Sequence, residues 1–152
     1  MSKSDADIHY QVDVHDAHAH VWQVSLTIPR PQSLQTLQLP VWIPGSYMVR
    51  EFARHLSQVE AHQGGKRVSL TQIDKTGWQS DCHARSPLTI NYRIYAFDSS
   101  VRTAFLDAQR GFFNGTSLCL RAEGLESQPH RLELKEMPAG WQVATALRAV
   151  QV

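Results

Sequence analysis

The chain has 152 residues, 42% of them hydrophobic, enough for one core with little room for a second. Its formal charge of +1 and its lack of any Lys/Arg run argue against nucleic acid or an anionic membrane as partner, since both need clustered cations. No window approaches the roughly 18 apolar residues of a spanning helix, and the N-terminal "MSKSDADIHYQV" lacks an export signal, so a soluble, cytoplasmic domain is expected.

Apolar residues recur with period two along most of the chain, the mark of strands with one buried face. Ile8, Tyr10, Val12 and Val14 share one face, and His9, Gln11 and Asp13 the other. The pattern returns at Trp22, Val24, Leu26 and Ile28, at Leu37, Leu39 and Val41, and at Leu88, Ile90, Tyr92 and Ile94. Shorter alternations follow at Leu118 and Leu120, at Leu132 and Leu134, and at Trp141, Val143 and Leu147. The connectors "PRPQS", "QGGKR", "NGT" and "MPAGW" carry turn chemistry. Together these predict one mainly β domain over residues 1–152, an antiparallel β-sandwich or saddle-like domain with at most one short helix. "MVREFARHL", where Val49, Phe52, Ala53 and Leu56 fall on one side, reads as a short helix or an irregular strand. Thr103 to Phe113 is the least periodic segment and is expected to form a long functional or interface loop.

Candidate sites are sparse. The zinc-hydrolase signature H-E-x-x-H is absent. His15, His18 and His20 raise the question of a metal, because H-x-H on a strand projects two imidazoles to one side, with His15 or Asp16 as a third ligand. No distant carboxylate or cysteine is marked as a partner, so a structural or solvated role is preferred. Cys82 and Cys119 form no C-x-x-C pair and read as reduced thiols, Cys119 half-buried. "QGGKR" cannot be a phosphate loop because Glu60 stands where a glycine is needed, and it reads as a hairpin turn. "NGT" matches a glycosylation acceptor, but Asn114-Gly115 is read as a type I′ turn. Ser46, Ser99 and Ser100 lack a nucleophile elbow.

The least generic stretch is "VWIPGSYMVREFARH". Pro44 fixes φ at the second position of a turn and Gly45 supplies positive φ at the third, which predicts a type II turn over residues 43–46. An alanine at Gly45 would then cost on the order of 1 kcal/mol. Trp42, Tyr47 and Arg50 flank the turn, which reads either as a folded corner, with Trp42 and Tyr47 packed on the sandwich end and Arg50 bonding free carbonyls, or, since interfaces favour these residue types, as a docking surface with Trp42, Pro44, Gly45, Tyr47 and Arg50 as its candidates.

"LPVWIPGSYMVREFARHL", "DKTGWQS", "INYRIYAFDSSVRTAFLD", "GFFNGTSLCL" and "MPAGWQVATAL", in that order, closely resemble the N-terminal domain of the glycyl aminopeptidase family of zinc metallopeptidases. The resemblance runs from about Tyr10 to Leu147. It implies a β domain that precedes a helical catalytic domain bearing H-E-x-x-H and then a PDZ domain, in an enzyme removing small N-terminal residues such as glycine and alanine. This chain ends at Val152, before such a catalytic domain, so no catalytic or zinc-binding residue carries over. The resemblance thus implies a non-catalytic domain, with no cofactor of its own and zinc in the full-length enzyme. Its partners would be the enzyme's own catalytic domain and the peptide substrate. By analogy with larger aminopeptidases, "RGFFNGTS" would approach the substrate entrance, with Asn114 and Gly115 as candidates. A different reading is an independent peptide- or sugar-binding module using Trp42, Tyr47 and Trp78; a third is a small metalloenzyme built on His15, His18 and His20.

Overall fold

A computed structural model describes residues 7–40, 55–97 and 104–149. The expected type II turn, with Trp42, Pro44, Gly45, Tyr47 and Arg50, lies outside them, as does most of "MVREFARHL"; Leu56, its last apolar residue, opens a strand.

The long alternating runs become β1 (Ile8–Asp16), β2 (Val21–Ile28) and β8 (Leu88–Tyr95), with Ile8, Val12, Val24, Leu26, Ile28, Leu88, Ile90, Tyr92 and Ile94 all at most 1% exposed. They are joined by β4 (Leu56–Gln63), β5 (Lys66–Val68) and β12 (His130–Leu134) in a six-stranded sheet of order β12-β1-β2-β8-β4-β5. Each fully buried Leu, Ile or Val contributes roughly 1.5–3 kcal/mol. A second sheet, of four strands, has the order β11-β3-β7-β6, from β3 (Leu34–Gln38), β6 (Thr71–Asp74), β7 (Gly77–Asp81) and β11 (Arg121–Ala122). Leu37, Trp78 and Ala122 from this sheet share one core cluster with the inward residues of the first, the arrangement of a sandwich. The fold is mainly β, as expected.

Turn chemistry is borne out at Gly64 and Gly65, whose φ values of +56° and +77° give the positive pair that a two-residue hairpin between β4 and β5 needs. Four expectations change. β12 runs parallel to β1, because the chain crosses over after β11 and re-enters beside the start of β1, where the Ile8 N–H donates to the Pro129 carbonyl at 2.9 Å. Leu118 and Leu120 are buried but form no strand: Leu118 ends the short helix α1 (Gly115–Leu118). Trp141, Val143 and Leu147 also form no strand, and Val143 and Leu147 are exposed. Within the expected long loop, β9 (Phe105–Leu106) pairs with β10 (Gly111–Phe112) in a tight hairpin, and Phe105 and Leu106 are buried.

Leu118 to Leu120 pass through the interior without a neighbouring strand, yet their backbone must be satisfied. The Tyr10 hydroxyl donates to the Leu120 carbonyl at 2.6 Å, and the Tyr92 hydroxyl donates to the Leu118 carbonyl at 2.6 Å while accepting the Leu120 N–H at 3.1 Å. Burial holds both phenols above their ordinary pKa, and pushes the Cys119 thiol up to about 12. Tyr92→Phe leaves a buried carbonyl and a buried N–H unpaired, and is expected to lower unfolding stability by about 1–3 kcal/mol in urea titration. Raised pKa values mean that the neutral forms belong to the folded state. Their stabilisation is therefore complete below the ordinary values of 9.0 for the thiol and 10.0 for the phenols and is lost as pH rises beyond them. Urea midpoints should fall progressively from pH 8.5 to 11, and Cys119→Ala should delay the onset of that fall.

Candidate functional site

Asn114 and Gly115, the described candidates for a substrate entrance, sit where the β9–β10 hairpin hands the chain to α1. Asp107 closes the hairpin: its Oδ1 accepts the backbone N–H groups of Gln109 at 2.8 Å and Arg110 at 2.9 Å. Those bonds, that of Gln109 first, hold its carboxyl below the usual carboxylate range. The Arg110 guanidinium lies 4.6 Å from the centre of the Phe105 ring. Gly111 packs flat against Trp22, so that a Cβ there would stand 2.6 Å from the indole. Phe113 meets the same indole edge-on, with ring centres 5.4 Å apart.

This packing delivers Asn114 in an extended conformation, φ −96° and ψ 150°, as the N-cap of α1. The Asn114-Gly115 type I′ turn is therefore corrected, since neither residue has positive φ. Asparagine favours both roles, and here the Asn114 carbonyl accepts the Ser117 N–H at 3.0 Å and the Ser117 hydroxyl at 2.9 Å. A Cβ at Gly115 would meet nothing within 4 Å.

The H-x-H pair, His18 and His20, does not lie on a strand as its metal reading requires, and of the three histidines only His15 falls within β1. His15 and His18 are exposed, and His18 and His20 lie in the turn between β1 and β2. His20 has φ +61°; its Nδ1 donates to the Leu106 carbonyl, and its ring centre lies 4.1 Å from that of Phe97. It ties the β1–β2 turn to the β9–β10 hairpin. Among the described residues no three His, Cys, Asp or Glu side chains are grouped so as to hold a metal ion. Trp78, expected on an exposed aromatic platform, is instead 6% exposed, paired with Leu37 across β7 and β3, and part of the core. No helix among the described residues is long and apolar enough to cross a membrane.

The described residues thus form a β domain of three sheets, of six, four and two strands, in which no three potential metal ligands are grouped. The sequence matches the family described as the peptidase M61 N-terminal domain over residues 9–152, and the chain belongs to that family. It is similar to the crystal structure of an aminopeptidase N family protein from Idiomarina loihiensis, with a TM-score of 0.82 and 44% identity over 86% of this chain. The chain spans 22% of that protein's length. No curated protein matches it.

The two glycines predict opposite outcomes. Gly111→Ala is expected to cost about 1–3 kcal/mol by forcing Trp22 out of place, whereas Gly115→Ala, in an open helical position, is expected to be neutral or to stabilise by up to about 1 kcal/mol. Thermal melts of the two variants check both.

Proposed function

We infer that this chain is the non-catalytic N-terminal β domain of a zinc aminopeptidase of the glycyl aminopeptidase type. It packs on the catalytic domain that follows and helps to shape the entrance for the peptide's N-terminus. The observation that carries the reading is the family match over residues 9–152, taken with a structural relative of which this fold makes up only 22%. In this reading zinc is bound by the catalytic domain, a PDZ domain follows it, and the enzyme works in the cytoplasm on short peptides. The described residues of this chain offer no group fit to hold zinc, so no chemical step is assigned to them. In this reading Asn114 and Gly115 stand at the entrance, and what supports it is that the backbone entering them follows Phe113, which packs on Trp22. The reading of an independent binding module loses its third aromatic with the burial of Trp78.

Hydrolysis of glycyl-p-nitroanilide tests the reading. The isolated domain is expected to be inactive and to bind no stoichiometric zinc, while the full-length protein is active with zinc. Asn114→Ala in the full-length protein is expected to raise KM about tenfold, the loss of one polar contact of about 1.4 kcal/mol. Activity in the isolated domain, abolished by His18→Ala, would refute the accessory role.

A further inference from the structure

Because β12 is parallel to β1, the chain leaves the long sheet at the end where β1 finishes. The direction is held past the strand itself: the Lys135 N–H donates to the Val12 carbonyl at 3.2 Å, the Glu136 N–H to Asp13 Oδ1 at 2.9 Å, and the Val14 N–H to the Glu136 carbonyl at 3.0 Å. The segment that follows carries Val143 and Leu147, 62% and 64% exposed.

The same end carries an apolar patch. Tyr95 closes β8 opposite Val21 and is 46% exposed; Phe97, two residues on, is 57% exposed; and Phe112 on β10 is 38% exposed. His20 lies against Phe97, Phe97 stacks on Phe105 at 5.6 Å, and Arg110 covers the Phe105 ring. A group of aromatics beside one arginine has the composition of an interface centre, where such side chains bury much area at little entropic cost. By contrast, the exposed Leu34 and Ile73 lie on the smaller sheet, on β3 and β6.

We propose that this end of the sandwich, centred on Tyr95, Phe97, Phe112 and Arg110, is the docking face for the domain that follows this one in the full-length chain. The family match and the 22% share of the relative's length point to the occupant: the domain that follows this one, reached by a chain that leaves the long sheet at this same end, covers the rings with an apolar surface, with a carboxylate toward Arg110. The proposal rests on the reading that the domain packs on a following catalytic domain, and assigns the face that does so.

The test uses the full-length protein, with trypsin cleavage at Lys135 and Arg148 followed by mass spectrometry and the number of thermal transitions as readouts. The wild type is expected to resist cleavage and to melt in one transition. Tyr95→Ser/Phe97→Ser is expected to be cut at least tenfold faster and to melt in two. Arg110→Glu, which leaves every ring in place, is expected to shift cleavage in the same direction, and it decides the question alone if the serine variant fails to fold. Leu34→Ser/Ile73→Ser should behave as wild type. If the wild type itself is cut freely and melts in two transitions, the packing reading and the face assignment both fail. If the wild type is protected and the patch variants remain so, the domains do pack, but through another face.

Discussion

The hydroxyls of Tyr10 and Tyr92 are the constraint on which the rest of the domain depends. They come from β1 and β8, which flank β2 in the long sheet, and both point inward onto the backbone of Leu118 to Leu120. That segment carries the chain out of α1 and into β11, the strand that pairs with β3 in the smaller sheet. It crosses the core where no strand is available to satisfy its polar groups, and an unpaired buried amide costs more than a paired one gains. Two phenols solve the problem by being apolar along their length and polar at the tip. Without them the passage between sheets would have to run over the surface, and Leu118 and Leu120 would leave the core.

The three central strands β1, β2 and β8 of the long sheet were legible in the sequence because every inward position in them is apolar and the alternation is unbroken. Legibility fails where burial and strand geometry separate. Leu118 and Leu120 alternate because two phenols hold an irregular segment in the interior, whereas Val143 and Leu147 are apolar without being buried at all. β6 is exposed at every position, so it has no periodic signal to read. β9 and β10 are two residues each and are closed by the Asp107 carboxylate, a local hydrogen-bond pattern rather than a hydrophobic one. The parallel pairing of β12 is a long-range outcome that no window contains.

The candidate site was legible only in part, for a related reason. Asn-Gly encodes both a hairpin turn and a helix start, and nothing within the dipeptide decides between them. The decision comes from Phe113, which packs edge-on against Trp22, a residue far away in sequence, and thereby fixes the backbone that enters Asn114. Gly111 belongs to the same contact: it is needed for space against the indole, whereas Gly64 and Gly65 are needed for their positive φ. Trp78 was misread because the sequence shows that an aromatic lies on a strand but not which face of that strand the other sheet covers.

The parallel strand does more than complete a sheet edge. An antiparallel β12 would have returned the chain toward Ile8, at the end of the sheet remote from the β1–β2 turn. The parallel register instead carries it past Val12 and Val14, and the bonds made by Lys135 and Glu136 keep it aligned after the ladder stops. The β1–β2 turn, the end of β8 and the β9–β10 hairpin meet at that same end through His20, which joins the Leu106 carbonyl and the Phe97 ring. A single topological choice at the sheet edge therefore takes the chain off the long sheet at the end that also carries the exposed rings and the hairpin leading to Asn114.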